Sequence, residues 1–441
     1  MTRPLNVWMN GVRVGEWSVG RTGRHVFQYH PAWRGHPRCR PLSLSLPITA
    51  DGRLEGERVA HCFDNLLPDN DAIRRRLATR FRTGGTDAFS LLQAIGRDCV
   101  GAVQLLPVDA PAPDVQRLDL DALGTDQIEA LLDGLDAQAG TGAQNDGDDF
   151  RISIAGAQEK TALLQRDGRW YRPRQATPTT HILKPPIGVT PGRQLDLSLS
   201  PENEWLCARI LHALGLPVAA CHVEHFGARR ALVVERFDRQ WQADAAWVLR
   251  LPQEDMCQAL GRSSADKYEG HGGPGMDDCL RVLKGGTRYE QDGRVFLLAQ
   301  LAFWLLAAID GHAKNFSVFL LPGGRYHLTP LYDVLSAWPI LDQGPHSLAY
   351  KKVKMAMAVR SSAPHYRLAE IQPRHWQAVA RRSGIAGMWD DMCALVARVP
   401  QALETVRAEL PPGFPAALAE QIISGAGRHA ARFQAPAGDT G

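Results

Sequence analysis

The longest apolar run in the chain is the feature that most constrains its fold. It extends from Val295 to Ile309 and contains one amide side chain, Gln300. A membrane-spanning helix needs roughly 20 apolar residues, so this shorter run predicts a helix buried in a protein core. The run ends at the polar sequence DGHAKN, residues 310–315. An acid, a base, an ammonium and an amide therefore follow a core helix directly, which requires a functional explanation.

The composition excludes several classes of protein. The 441 residues carry a formal net charge of +3, from 50 basic and 47 acidic residues. That balance is too even for a chain that chiefly coats nucleic acid. No cysteines form a CxxC pair, so we expect buried thiols and no zinc ribbon. The first residues lack the apolar core of a signal peptide, and we expect a soluble, cytoplasmic protein without membrane partners.

The pattern of residues changes along the chain and predicts several domains. Residues 1–108 combine a hairpin around an Asn-Gly turn with helical spacings, which predicts a small α/β subdomain. Residues 109–150 are rich in Pro, Asp and Gly, which predicts a linker with one short helix. Strand-like runs fill residues 151–254, helical patterns fill 255–433, and 434–441 form a tail. The predicted fold class is therefore α+β, with a β-rich lobe, an all-helical C-terminal lobe and an N-terminal α/β subdomain.

Three polar residues point to phosphoryl transfer. Asp310 and Asn315 form a D-x-x-x-x-N pattern in the turn between the apolar helix and a following strand, and Asp333 ends a second strand-like run. In phosphoryl transfer a carboxylate orients the attacking hydroxyl, and amide and carboxylate oxygens bind Mg²⁺. In the structural alternative, Asp310 is only a turn residue at the C-terminal end of the helix, and Asn315 is only a capping residue.

The β-rich region offers a candidate phosphate-binding loop. Its sequence SIAGAQEK, residues 153–160, contains small residues that let backbone N–H groups approach phosphate, although a simple hairpin turn fits equally. Lys184 ends the strand-like run THILK and needs an anionic partner or access to water. Glu204 would either orient this lysine, as a helix carboxylate does in kinases, or only interact favourably with the dipole at the start of its own helix. The segment Val233–Arg239 would form the hinge between lobes.

These motifs together resemble a known family. SIAGAQEKTALL, THILKPPIG, VVERFDR, DGHAKNFS and YDVLSA occur in this order, and they resemble the HipA serine/threonine kinases of bacterial toxin–antitoxin modules. The resemblance covers nearly the whole chain, including the N-terminal FDNLLPDN. It implies a two-lobed, protein-kinase-like fold that uses ATP and Mg²⁺.

The resemblance also implies roles for individual residues. Asp310 resembles the catalytic aspartate, Asn315 and Asp333 resemble the metal ligands, and Ser153 corresponds to a serine that family members autophosphorylate. The implied ATP-binding residues come from the phosphate loop, the strand lysine, the hinge and the catalytic loop: Ala155, Gly156, Ala157, Gln158, Glu159, Lys160, Lys184, Glu235, Arg236, Phe237, Gly311, His312, Lys314 and Tyr332.

The same resemblance implies biological partners. Members of the family phosphorylate aminoacyl-tRNA synthetases, best known for the glutamyl enzyme, which inhibits translation and promotes persistence. They bind a helix-turn-helix antitoxin, and the complex represses its own operon at operator DNA. Arg381 and Arg382 are candidate contacts to that DNA, with a solvated helix face as the alternative. Two other functions stay open, namely a small-molecule or lipid kinase and a protein that acts mainly as a co-repressor.

Overall fold

The structure is a computed structural model of the chain. It describes residues 3–137, 153–156, 158–190, 192–242, 246–342 and 344–435. Ala157 of the predicted phosphate loop, much of the predicted linker and most of the predicted tail lie outside these ranges.

The described residues form runs of strands and runs of helices. The strands are β1 (Leu5–Met9), β2 (Val12–Val19), β3 (His25–Tyr29), β4 (Arg53–Glu55), β5 (Val103–Pro107), β6 (Leu120–Leu123), β7 (Thr161–Arg166), β8 (Arg169–Pro173), β9 (His181–Lys184), β10 (Gly188–Val189), β11 (Asp196–Leu197), β12 (Cys221–Phe226), β13 (Arg229–Glu235), β14 (Arg239–Trp241), β15 (Val248–Arg250), β16 (Gln253–Asp255), β17 (Ser317–Leu320), β18 (Tyr326–Leu328), β19 (Lys354–Arg360) and β20 (Pro364–Arg367). The α-helices are α1 (Pro31–Arg34), α2 (Glu57–Asp64), α3 (Asp71–Arg80), α4 (Ala88–Ile95), α5 (Thr125–Ala137), α6 (Ser200–Ala213), α7 (Met256–Ala259), α8 (Met276–Lys284), α9 (Tyr289–Leu305), α10 (Pro373–Ser383), α11 (Met388–Ala408) and α12 (Ala416–Gln434).

The chain folds into two compact units, each assembled from separate stretches. The first unit comprises residues 1–185, 224–266 and 317–329. The second unit comprises the remaining stretches, 186–223, 267–316 and 330–441. The predicted domain boundaries follow sequence order more closely than these units do, and they remain predictions.

An antiparallel sheet begins the first unit. Its strand order is β4-β3-β2-β1-β5, and β1 and β2 form the hairpin that the Asn-Gly pair predicts. Asn10 and Gly11 have φ values of 47° and 77°, the left-handed conformation that a type I′ turn requires. Helices α2 and α4 cover the sheet, and Trp17 stacks on Phe63 with ring centroids 4.0 Å apart. This small α/β structure matches the prediction for the N-terminal region.

A second sheet of the first unit contains the β-rich region. Its order is β12-β13-β9-β7-β8-β6, and β6 pairs antiparallel with β8. Helix α5 buries Ile128 and Leu132 in the same core as Leu163 and Trp170. The short helix predicted in this region corresponds to α5, whereas the linker prediction did not include the edge strand β6. Strand β6 lies at the edge of the sheet and is only partly buried, so its sequence lacks the apolar alternation that would predict a strand.

The second unit is mainly helical, and α9 lies in its core. Helix α9 buries residues on all its faces, which is why it lacks the amphipathic stripe of a surface helix. The prediction of a core helix is confirmed. Within the described ranges, no helix is both long and apolar enough to cross a bilayer. Helix α11 packs against α6, α9, α10 and α12.

One feature of the second unit departs from the prediction of an all-helical lobe. Strands β19 and β20 form an antiparallel hairpin whose register shifts between Lys354 and Val359. The apolar sequence MAMAV buries Met355 to Val359 on both faces of β19. Such a run has no period-2 alternation, so it does not signal a strand in the sequence.

Candidate active site

The DGHAKN loop of the second unit rests on aromatic side chains. Phe316 lies 4.8 Å from Phe296 and 5.7 Å from Phe303, measured between ring centroids. All three rings are fully or almost fully buried. Gly311 lies so close to Phe303 that an added Cβ would approach the ring to 2.5 Å. The apolar helix and its aromatic residues therefore fix the backbone of this loop.

Asn315 links the predicted catalytic residue, Asp310, to the other predicted metal ligand, Asp333. Its Nδ2 donates to the carbonyl oxygens of Asp310 at 2.9 Å and of Asp333 at 3.4 Å. The side chain is buried, so the two bonds fix the amide orientation and make Oδ1 its acceptor atom. Asp333 has a φ of 61°, a conformation that costs free energy for a residue other than glycine and clusters at functional sites. The structure thus brings Asp310, Asn315 and Asp333 together.

The other predicted residues of this loop lie in the same cluster. His312 is buried, and its Nε2 lies 3.9 Å from Oδ2 of Asp310. Lys314 is also buried, and its carbonyl accepts a hydrogen bond of 2.8 Å from the Tyr332 hydroxyl. By contrast, the side chain of Asp310 is 63% exposed. A rigid, mostly buried loop therefore presents one carboxylate to solvent.

The candidate phosphate loop belongs to the first unit, where the N-terminal region supports it. The backbone N–H of Asp69 donates to the Gly156 carbonyl at 3.0 Å. Glu159 forms an ion pair with Arg76. Gly156 has a φ of 116°, which favours glycine. The FDNLLPDN segment, residues 63–70, thus holds the loop.

Within this loop, two side chains bond to backbone carbonyls. Nζ of Lys160 donates to the Ala155 carbonyl at 2.9 Å. The amide of Gln158 donates to the Pro185 carbonyl at 3.0 Å, one residue beyond Lys184. These contacts close the loop upon itself and onto the end of β9.

Ser153 is fully buried at the entry to the loop. Its Oγ donates to the Leu66 carbonyl at 2.7 Å, and its N–H donates to the Asp98 carbonyl at 3.0 Å. The resemblance predicts that Ser153 is an autophosphorylated residue, and this remains a prediction. In this conformation its hydroxyl is committed to the N-terminal region.

The predicted lysine and hinge residues also lie in the first unit. Lys184 is buried at the end of β9, paired with Leu232 of β13. Glu235 ends β13 and is exposed. Phe237 contacts Phe319 edge-on, with centroids 5.8 Å apart. In the second unit, Glu204 is buried in α6.

A buried cluster of charges in the first unit was missed in the sequence. Asp98 accepts hydrogen bonds from Arg239 at 3.0 Å and from Arg250 at 2.9 Å, and Arg236 lies 3.5 Å away. Asp238 accepts from Arg236 at 2.8 Å. Each of these side chains is at most 5% exposed. We define these five residues as the Asp98 cluster.

Electrostatics hold the Asp98 cluster in its charged form. Burial alone raises the pKa of Asp98, but Arg239, Arg250 and Arg236 outweigh it and keep that pKa well below its usual value. Burial and the neighbouring Arg236 lower the pKa of Arg239 to about 10. The guanidinium of Arg236 is bound within this cluster, so ATP binding by Arg236 would rest on its backbone and remains a prediction. The sequence signal for this cluster was Arg236, which directly follows an apolar strand-like run. A buried arginine needs an anionic partner, so this position predicts a buried ion pair.

Tyr268 is the second residue that the sequence did not reveal. Its hydroxyl donates to Oδ1 of Asp310 at 2.6 Å. The two residues lie 42 positions apart, and no spacing pattern connects them. The only signal was the glycine-rich sequence YEGHGGPG, residues 268–275, which indicates a shaped loop.

The two arginines predicted to touch DNA lie at the end of α10. Both are exposed. Arg382 donates to both carboxylate oxygens of Asp277 at 2.5 Å and to the Arg360 carbonyl at 3.1 Å. The contacts of Arg382 favour the alternative, a solvated helix face with internal ion pairs, and DNA binding by these residues remains a prediction.

Comparisons with known proteins agree on one family. The family model described as HipA-like C-terminal domain matches residues 152–407, and the HipA N-terminal domain matches residues 5–106. A candidate kinase of Sinorhizobium fredii, Y4mE, is 37% identical over 392 residues, covering 87% of this chain and 86% of that protein. The serine/threonine-protein kinase toxin HipA of Shewanella oneidensis is 27% identical over 434 residues, covering 93% and 91%.

A solved structure extends these matches. In the complex of Shewanella oneidensis HipA, HipB and operator DNA, the matching chain has a TM-score of 0.77 and 25% identity, covering 96% of this chain and 97% of that one. This match confirms the predicted fold class. Fold and relatives together define the present chain as a serine/threonine kinase with an added N-terminal domain. It belongs to the HipA family.

Proposed function

We propose that the chain transfers the γ-phosphate of ATP to serine or threonine of a protein, with Asp310 as the catalytic residue. The observation that carries this proposal is the pair of hydrogen bonds from Asn315 to the backbones of Asp310 and Asp333. They draw together a carboxylate for the acceptor hydroxyl and two oxygen-bearing side chains for a metal. Protein kinases use such a set in phosphoryl transfer.

Asn315 and Asp333 would hold Mg²⁺. The oriented Oδ1 of Asn315 and the Asp333 carboxylate are hard oxygen ligands, and Mg²⁺ accepts one or two of these alongside phosphate and water. Bound Mg²⁺ supplies charge neutralisation for the phosphates. Among the described residues, no group of three His, Cys, Asp or Glu side chains could hold a metal, which is consistent with a site of few protein ligands.

The remaining residues would bind ATP. We assign the backbone of residues 155–160 to the phosphates, Lys184 to a phosphate charge, and Glu235 and Phe237 to the adenine side. The loop residues Gly311, His312 and Lys314, together with Tyr332, would line the phosphate-transfer side. Arg236 would contribute only its backbone, because its guanidinium is bound within the Asp98 cluster.

Phosphorylation of Ser153 would silence the enzyme. A phosphoserine carries about −1.5 to −2 charge at pH 7 and only acceptor oxygens when ionised. Such a group cannot stay at a buried position that faces the Leu66 carbonyl. We therefore infer that the modified loop leaves its place and loses ATP. The buried hydroxyl also supports transfer between molecules, after transient opening of the acceptor's loop.

The relatives support a toxin role. The proteins similar to this chain include a serine/threonine-protein kinase toxin and a HipA chain solved in complex with HipB and operator DNA. We propose that this chain likewise binds a helix-turn-helix antitoxin and acts with it as an operon co-repressor. An aminoacyl-tRNA synthetase, such as the glutamyl enzyme, is the proposed substrate, with inhibited translation and persistence as the outcome.

The test uses wild-type and Asp310→Asn protein with γ-labelled ATP, Mg²⁺ and extract of the host cell. The proposal predicts a labelled protein band with the wild type and none with the variant. Phosphoserine or phosphothreonine in that band would identify the reaction, and mass spectrometry would name the substrate. Label found only in small molecules or lipids would favour the alternative kinase class. Absence of all transfer, with antitoxin and operator binding retained, would favour a co-repressor.

A further inference from the structure

The Tyr268 hydroxyl makes a close contact with the proposed catalytic carboxylate. It donates to Oδ1 of Asp310 at 2.6 Å, a short bond typical of a hydroxyl that meets a carboxylate. The same ring packs edge-on against His312, with centroids 5.0 Å apart. Nζ of Lys267 lies 5.6 Å from the ring centroid. The phenol is thus oriented by contacts on its ring as well as by its hydroxyl.

An ion pair between the buried Glu269 and the partly exposed Arg360 fixes the backbone beside Tyr268. The side chain of Glu269 is 6% exposed. Its carboxylate accepts from the Ala358 N–H at 2.6 Å and from Arg360. The Tyr268 carbonyl in turn accepts from the N–H groups of residues 271 and 273, each at 3.0 Å. The loop therefore delivers the hydroxyl to one place.

We propose that Tyr268 is a positioning residue for phosphoryl transfer, which holds Oδ1 of Asp310 so that Oδ2 receives the acceptor hydroxyl. This inference rests on the proposed function of Asp310. The Asp310 side chain is 63% exposed, and Nε2 of His312 lies 3.9 Å from its Oδ2, so the much shorter bond from Tyr268 is the contact that orients Oδ1. Misplacement of a reacting group by 1 Å can cost about 100-fold in rate.

The step itself follows ordinary phosphoryl transfer. The acceptor oxygen forms a bond to the γ-phosphorus, and the bond from that phosphorus to the β,γ-bridging oxygen breaks, with its electron pair leaving on ADP. The acceptor proton passes to Oδ2 of Asp310. The hydroxyl of Tyr268 keeps its own proton throughout and exchanges no group with ATP.

The test compares Tyr268→Phe with a matched variant, Tyr289→Phe. Tyr289 also donates a phenol hydrogen bond, 2.7 Å long, but to the Ser383 carbonyl. Each change removes one hydroxyl and keeps the ring. The assay measures kcat and KM with γ-labelled ATP, Mg²⁺ and myelin basic protein as a general acceptor, and calorimetry measures ATP affinity.

Tyr268→Phe should lower kcat by about tenfold or more, the usual size of a lost hydrogen bond to a charged group. KM for ATP and ATP affinity should stay unchanged, and Tyr289→Phe should keep the wild-type kcat. A merely structural role would instead lower kcat equally in both variants or reduce ATP affinity.

Three results would overturn the inference. An unchanged kcat in Tyr268→Phe would show that the hydrogen bond from Tyr268 to Asp310 does not contribute to phosphoryl transfer. A raised kcat would show that Tyr268 blocks the acceptor position, and phosphotyrosine at position 268 would make it an acceptor. If the wild type transfers no phosphate under any condition, the proposed function itself fails, and the inference fails with it.

Discussion

Two loops of the molecule are held in place by different forces. The candidate phosphate loop, residues 153–160, is held by hydrogen bonds to backbone carbonyls and by one ion pair. The DGHAKN loop, residues 310–315, has hydrogen bonds from Asn315 as well, but it also rests on buried aromatic rings and a core helix. Polar contacts can be exchanged for water or phosphate at little net cost. Apolar packing has no such substitute, because every alternative leaves a cavity or exposes the rings.

The difference in contacts suits the two loops to different functions. The loop with exchangeable contacts suits a switch, and Ser153 lies where a phosphate would break those contacts. The loop on apolar packing suits chemistry, because transfer depends on fixed geometry. The Asp98 cluster complements the first loop, since the Asp98 carbonyl accepts from the Ser153 N–H. Five predictions test this contrast.

The largest effect is expected from Asp310→Asn. Loss of the acceptor-orienting carboxylate should lower phosphoryl transfer by about 10²–10⁴-fold. Stability should not change, because the side chain is 63% exposed and asparagine can still accept from Tyr268. Labelled-ATP transfer and thermal unfolding check both parts. Near-wild-type transfer by the folded variant would remove Asp310 from the mechanism.

Asp98→Asn should destabilise the first unit by about 3–5 kcal/mol, because it leaves buried arginines without their shared partner. Urea unfolding measures this change. Asp167→Asn is the matched control, since that side chain is 86% exposed and should barely alter stability. Equal changes in the free energy of unfolding for the two variants would show that the Asp98 cluster does not stabilise the fold more than an exposed carboxylate does.

The pH dependence of stability tests the same cluster. Because the folded-state pKa of Asp98 is depressed, its contribution is present above the unfolded value of about 3.9 and is lost as pH falls below it. Wild-type stability should therefore fall more steeply on acidification than that of Asp98→Asn. Parallel curves would contradict the assigned direction of the shift.

Gly311→Ala should disturb the DGHAKN loop by forcing a methyl group against Phe303. Overpacking of this kind costs about 1–3 kcal/mol, and transfer should fall as well. Gly84→Ala is the control, because nothing lies within 4 Å of its added Cβ. If both variants unfold alike, the loop does not rest on Phe303 as described.

Ser153→Ala should destabilise the protein less than Asp98→Asn or Gly311→Ala does. It removes one hydrogen bond to the Leu66 carbonyl, worth about 0.5–1.5 kcal/mol. The variant should remain active on other proteins and escape self-inhibition during incubation with ATP. Activity that declines at the wild-type rate would place the inhibitory modification elsewhere.

Much of this organisation could be predicted from the sequence. The Asn10-Gly11 hairpin and the core helix α9 follow from local patterns, and the DGHAKN and YDV motifs drew attention to residues that the structure brings together. The Asp98 cluster and Tyr268 could not be predicted. Asp98 lies 138 to 152 residues from its three arginines, and Tyr268 lies 42 residues from Asp310, so only tertiary folding brings these residues into contact. Strand β6 was missed because an edge strand with partial burial shows no clear alternation.

Amide hydrogen exchange of unphosphorylated and Ser153-phosphorylated protein tests the contrast between the loops most directly. The account predicts faster exchange at Ser153, whose N–H donates from the loop to the Asp98 carbonyl, and at Asp69, whose N–H donates to the Gly156 carbonyl. It predicts unchanged exchange for the amides of residues 311–316. Equal acceleration in both loops, or unchanged exchange at Ser153 and Asp69 in the phosphorylated protein, would contradict a switchable loop beside a fixed one.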